Sequence, residues 1–230
     1  MTSQPSTMEA SALSREQEQA DLIRRLEEDI IFGRFAPGSR LVEDTLMARY
    51  GASRHFVRQG LFQLERQGIV LREKNIGATV RFYSSEEVGQ IYQVREMLTR
   101  QAALMIALPA PAELVEQLTE LQRRYCAKAD AQDLRGIHEA NDAFHVALFS
   151  ACGNPYLVRS LQDYMNLTLP MRAKNLADKE GLALSRRQHE IMIELLKGRD
   201  SWALAQLCVE HMQYSKSDYL GRIEAGESAD

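Results

Sequence analysis

Cysteine is scarce in this chain and never paired in sequence. Its three residues, Cys126, Cys152 and Cys208, are far apart and odd in number. Without a C-x-x-C pair, neither a disulfide framework nor a thiolate zinc site is expected, and three reduced thiols fit a cytoplasmic protein. Long apolar runs are missing too, since nothing approaches the ~18–20 residues of a membrane span. The opening "MTSQPSTMEASALSREQEQ" has no basic stretch leading into an apolar core, so no secretory signal is expected. Catalytic signatures are equally thin. No glycine-rich phosphate loop and no G-x-S-x-G elbow occur. "HEIMI" opens like the H-E-x-x-H of zinc hydrolases but has Ile193 where the second histidine must stand. A metal-dependent hydrolase is therefore the weaker alternative to a binding protein.

What remains is an ordinary soluble composition: 230 residues, 45% apolar, 26% charged, formal net charge −4. Residues 1–14 are small and polar and read as a disordered tail. From Glu16 to Gly33 the apolar positions Ala20, Ile23, Leu26, Ile30 and Ile31 keep helical spacing. Gly33, Pro37 and Gly38 then break the pattern into a loop. A short helix over Glu43–Tyr50 ends at Gly51. Ser53 is placed to cap the next helix, which buries Val57, Leu61 and Leu64 and stops at Gly68. Two β-prone runs, Ile69–Arg72 and Thr79–Phe82, flank Asn75 and Gly77 as a hairpin. Beyond Ser84 the pattern is helical, with helices near 85–108, 111–128, 131–151, 155–175, 182–197 and 200–222. Gly153 with Pro155, and Gly181, punctuate them, and Pro170 should kink the fourth. The fold class expected is mainly α. An α plus hairpin module over 15–83 is followed by an all-helical bundle over 84–222 and a tail over 223–230.

Three helices followed by a hairpin is the order of a winged helix-turn-helix, whose second paired helix enters the DNA major groove. With Val57, Leu61 and Leu64 inward, Arg54 and Arg58 share another face near the helix N-terminus. That end favours phosphate, and arginine suits bidentate contact with guanine. Six Lys/Arg stand against two acids between Ser53 and Arg81, a surplus of +4 in a chain of net charge −4. A solvated amphipathic helix is the plainer reading of two arginines alone.

The stretch "GRFAPGSRLVEDTLMARYGASRHFVRQGLFQLERQGIVLREKNIGATV" resembles the winged helix of GntR-type regulators. The match is carried by Pro37, Gly38, Leu41, Glu43, Ser53, Arg54, Val57, Arg58, Leu61, Gly68, Asn75 and Gly77. The resemblance implies that Ser53, Arg54, His55 and Arg58 touch DNA. It also implies that the hairpin tip, Asn75–Gly77 with Lys74 beside it, reaches the minor groove or backbone. Gln59 and Gly60 depart from the usual Glu-Ala, and Phe56 stands where proline is common. Residues 85–222 resemble the FCD domain of the FadR subfamily, on "YQVREMLTRQAA" and "HEANDAFHVALFSACGNPYL".

That second resemblance assigns meaning to scattered histidines. Spacing alone gives His138, His145, His189 and His211 no metal signature. The FCD pattern places metal ligands on Asn141, His145, His189 and His211, with Asn141 standing in for an aspartate and so weakening the site. Asp142 is a substitute donor out of register. Imidazole donors favour zinc, with nickel or manganese as alternatives. Direct hydrogen bonding of the histidines to a ligand or water is the other reading. The resemblance puts Arg95 on the effector cavity, and Arg172 follows Pro170 in a position to face inward. A surface ion pair of Arg95 with Glu96 or Glu87 is the alternative. The implied protein is a non-enzymatic, cytoplasmic transcription regulator. It would bind a DNA operator as a homodimer and answer to a small organic acid. An architectural DNA-binding protein without ligand is the third reading.

Overall fold

The computed structural model describes residues 7–73, 77–175 and 178–225. The chain divides between Phe82 and Tyr83 into two compact units.

In the first unit, helix α1 (Thr7–Ile31) turns Leu22, Ile23, Leu26, Ile30 and Ile31 inward. The segment expected to be structureless is thus helical from Thr7 onward, because Thr7–Glu16 continues the helix without a proline or glycine to break it. Helix α2 (Glu43–Tyr50) buries Leu46, carries Glu43 and Asp44 in its first turn, and closes on Gly51 at φ 65°. Only a residue at ease in the left-handed region completes that cap. Helix α3 (Arg54–Arg66) begins at Ser53, whose side chain accepts from the Phe56 N–H at 3.3 Å, and buries Val57, Gly60, Leu61 and Leu64. A Cβ at Gly60 would meet the Ile23 side chain of α1 at 3.4 Å, an ordinary packing contact.

Among the described residues the sheet has three strands, not the two of a hairpin. Strand β1 (Arg40–Leu41) pairs antiparallel with β3 (Gly77–Val80), which pairs with β2 (Val70–Glu73). The hairpin strands also sit one or two residues from their expected places. Ile69 N–H closes the end of α3 on Leu64 O at 3.0 Å, so pairing starts at Val70↔Val80. Asp29 ties α1 to α2: its buried carboxylate accepts from Arg34 (2.6 Å), Arg49 (2.8 Å) and Tyr50 (2.7 Å). Burial alone would raise that carboxyl, but these three donors hold it below the usual carboxylate range.

Among the described residues the second unit is a bundle of seven helices: α4 (Ser85–Leu104), α5 (Ala112–Asp130), α6 (Leu134–Ser150), α7 (Pro155–Leu167), α8 (Leu169–Asn175), α9 (Lys179–Lys197) and α10 (Ser201–Glu224). Ser84 and Glu87 form a capping box at the start of α4. Pro170 does more than kink a long helix. It has no N–H to give, so the helix expected over 155–175 breaks at Thr168 into α7 and α8. Gly181 does not separate elements but lies in the first turn of α9, its N–H held by the cap Asp178 at 2.8 Å. The end expected to be a tail from residue 223 is helical to Glu224.

Phe144, Leu118, Leu148, Met192, Leu196 and Leu204 centre the main core. Tyr83, Tyr92, Met171, Val209 and Met212 form a second one. The three cysteines are free thiols, and burial pushes Cys208 up to about 12. Among the described residues no helix is long and apolar enough to cross a membrane.

Candidate functional site

Two faces of the chain gather functional side chains. The first is the N-terminal end of α3, where Ser53, Arg54, His55 and Arg58 are all exposed. Ser53 spends its side-chain oxygen on the helix cap. The two arginines are not bare: Arg54 Nη2 pairs with Asp44 Oδ1 at 2.5 Å, and Arg58 Nε donates to Glu43 Oε1 and Oε2 at 2.8 and 3.0 Å. The surplus of +4 counted along the chain therefore halves in space, because the first turn of α2 lays two acids against the face. Such exposed pairs contribute little to stability and open readily for a stronger anion. The bond to Glu43 uses Nε, which leaves the two Nη groups of Arg58 for a base edge or phosphate. Gly77 opens β3 at φ 102°. Lys74 and Asn75 lie outside the described residues. Arg40, which the sequence reading passed over, is brought beside Gly77 by the β1–β3 pairing and is exposed. The signal was the R-L pair after Pro37-Gly38, too short to read as a strand.

The second face is internal. His145 (α6), His189 (α9) and His211 (α10) meet with ring centroids 4.8–5.1 Å apart, and their ligand atoms all lie within 4.8 Å of one another. His145 Nε2 and His211 Nε2 are 3.1 Å apart. Phe144 stacks on His189 at 4.1 Å and keeps one side apolar. Burial holds all three imidazoles neutral. His145 and His189 are pushed well below the ordinary histidine range, and His211 is pushed down to about 3, with Arg95 and Arg172 adding to the effect. Neutral imidazole is the form that binds metal.

The donor set fits a divalent ion on three counts. His189 Nε2 is buried with no hydrogen-bond partner. The 3.1 Å spacing of the other two nitrogens is close to the ~3.3 Å of two ligands about 2.0–2.1 Å from one tetrahedral zinc. Asn141 lines the same cavity as His145 and His211, and its side chain is a neutral amide. Asp142 does not replace it, because its carboxylate is turned to Arg172 at 2.8 Å, with His138 at 3.6 Å.

The surface ion pair open to Arg95 in the sequence is not formed. Glu87 closes the α4 capping box and Glu96 pairs with Gln213 and Lys216. Arg95 is 7% exposed, donates to Thr168 Oγ1 at 3.0 Å, stands over the Tyr92 ring at 5.6 Å, and leaves its Nε unpartnered. Burial lowers its pKa to about 10, so it stays charged at neutral pH. Arg172 is equally buried and likewise has an unpartnered Nε, but it has Asp142 as counter-ion. Both arginines line a cavity of about 40 Å³ with Asn141, His145, His211 and Gln188. That is room for a few water-sized groups. Missed in the sequence were Gln122 and Gln188, whose side-chain oxygens lie 2.9 Å from His189 Nδ1 and 2.8 Å from His211 Nδ1. A glutamine carries no motif, and only the fold brings α5 to His189.

A winged helix-turn-helix followed by a helical bundle with a buried polar cavity is the make-up of a DNA-binding transcription regulator. Residues 18–80 match the bacterial regulatory proteins of the gntR family, and residues 90–214 match the FCD domain. The chain belongs to the GntR family of transcription regulators, in its FadR subfamily, and not to a family of enzymes. It is 25% identical over 200 residues to the HTH-type transcriptional repressor GlaR of Escherichia coli (strain K12), covering 84% of this chain and 91% of that one. It is 24% identical to the gluconate operon transcriptional repressor of Bacillus licheniformis, covering 85% and 80%. The solved structure of E. coli McbR/YncC shares the fold, with TM-score 0.70 at 18% identity over 90% of this chain and 98% of that one.

Proposed function

We propose that this regulator is a cytoplasmic repressor that binds its operator as a homodimer and releases it on binding a small carboxylate. The carboxylate would sit in the α4–α10 cavity beside a divalent ion held by His145, His189 and His211, with Asn141 as a weak fourth donor. Ser53, Arg54, His55 and Arg58 would read and position the DNA, with the Lys74–Gly77 tip on the backbone or minor groove. One observation carries the ligand assignment: Arg95 is a buried cation that no carboxylate of the described residues touches, Asp142 acting on it only through space, and its Nε is unpartnered. A buried charge left without a counter-ion is costly, so the site calls for an anion from outside. The cavity volume supports an acid of only a few heavy atoms. When bound, the ion would supply a Lewis-acidic position for one carboxylate oxygen while Arg95 takes the other. The names of two relatives, a repressor and a gluconate operon repressor, support the sign of control and an organic-acid signal. The acid acts only by binding one state of the dimer better than another.

Asn141 in place of a charged donor favours a second reading, in which the neutral histidines bind the carboxylate directly without metal. Thermal-shift titration with small carboxylates, with and without zinc, nickel or manganese, separates the two. Metal-dependent shifts support the first, metal-independent shifts the second, and no shift with any acid overturns both.

A further inference from the structure

His189 is wholly buried on α9, and the surrounding hydrogen bonds determine which of its nitrogens carries the proton. Gln122, on α5, donates through Nε2 to the backbone oxygen of Arg186 at 3.0 Å. A carbonyl accepts only, so the amide of Gln122 cannot be turned the other way without setting two oxygens against each other. Its Oε1 is therefore the atom 2.9 Å from His189 Nδ1, and an oxygen there requires a proton on Nδ1. The lone pair of the neutral ring is left on Nε2, the atom that has no partner and belongs to the histidine cluster.

We propose that Gln122 is a positioning residue that locks His189 as its Nδ1–H tautomer, so that Nε2 is presented as a ready donor to a divalent ion; Gln188 does the same for His211. This rests on the metal reading above and adds to it the residues that preorganise the site. Gln188 Oε1 lies 2.8 Å from His211 Nδ1, and with the amide in that orientation His211 Nε2 is the lone pair facing His145 Nε2 at 3.1 Å. His189 is thereby fixed in the ligating tautomer by a glutamine that Arg186 orients, and His211 is paired with a second glutamine on another helix. An outer partner on the far ring nitrogen orients a ligating histidine, and its removal typically weakens metal binding about 10–100-fold.

The test uses the full chain stripped of metal by chelation. Side-chain nitrogen NMR reads the tautomer of each histidine, and competition against a chelator of known affinity reads zinc binding. In the wild type, His189 and His211 should both show protonated Nδ1. Gln122→Leu should release the preference at His189 alone and weaken zinc about 10–100-fold. Gln188→Leu should do so at His211, and since Gln188 is only half-buried, this variant carries the test if Gln122→Leu does not fold. A protonated Nε2 on His189 in the wild type overturns the proposal. So does a folded Gln122→Leu with unchanged tautomer or unchanged zinc affinity. A wild type that binds neither zinc, nickel nor manganese overturns the metal reading and the purpose assigned to the tautomer. The spectrum still decides separately whether Gln122 sets it.

Discussion

Arg58 Nε stands 2.8 Å from Glu43 Oε1, so the arginine at the heart of the basic face of α3 is engaged by an acid of α2. The pairing neutralises the face toward non-specific anions and orients the guanidinium through Nε. Arg58→Ala should cost operator discrimination about ten-fold or more while leaving the fold intact, because the side chain is exposed and packs little. Glu43→Gln should instead tighten binding to all DNA and lessen the ratio of specific to non-specific affinity. Gel-shift titrations at several salt concentrations check both, and an unchanged specificity ratio in Arg58→Ala removes α3 as the reading element.

The buried histidines give a pH dependence of known sign. Their folded-state pKa values are depressed, that of His211 to about 3, while the unfolded chain titrates near 6.5. Above about pH 6.5 neither state is protonated and there is no effect. As pH falls below it, the unfolded state takes protons that the folded state refuses, so stability is lost by up to about 1.4 kcal/mol per pH unit for each histidine. Denaturant unfolding of the metal-free chain between pH 7 and pH 4.5 should show this loss, and Tyr in place of the buried ring at His189→Tyr should reduce its slope. A flat profile contradicts the neutral cluster.

Asp29→Asn should destabilise the first unit by about 1–3 kcal/mol, since it removes the charged acceptor shared by Arg34, Arg49 and Tyr50. The value stays modest because both arginines are largely solvated. Thermal melts of the full chain with a probe in the first unit check it.

The metal site should respond to single donors. His189→Ala should abolish bound metal, and Asn141→Asp should tighten it by adding a charged oxygen to three neutral nitrogens. Metal analysis of protein purified without chelator, compared with the wild type, gives the result. A wild-type metal content unchanged by His189→Ala places any ion elsewhere.

Much of this was legible because helices advertise themselves locally. Val57, Leu61 and Leu64 keep helical spacing, Ser53 caps and Gly51 closes, so α3 and its exposed arginines could be read residue by residue. Strand β1 could not, because its two residues are strand only through their partner β3, some forty positions away. The same holds for the acids at Glu43 and Asp44. They look like ordinary first-turn residues of α2 until the turn folds them onto Arg58 and Arg54. In the bundle, the three histidines came from family pattern rather than spacing. The glutamines behind them, and the turn of Asp142 away toward Arg172, depend on helix packing alone.

Arg95, buried and without a touching carboxylate among the described residues, is the cation on which the proposed anion site depends. The most direct measurement is calorimetric titration of small carboxylates of about two to four carbons into the zinc-loaded wild type and into Arg95→Met, which keeps much of the side-chain volume. The wild type should bind and Arg95→Met should lose at least about ten-fold, as for a hydrogen bond to a charged group, with affinity for DNA unchanged in the absence of the acid. Equal carboxylate binding by the two proteins would contradict that dependence.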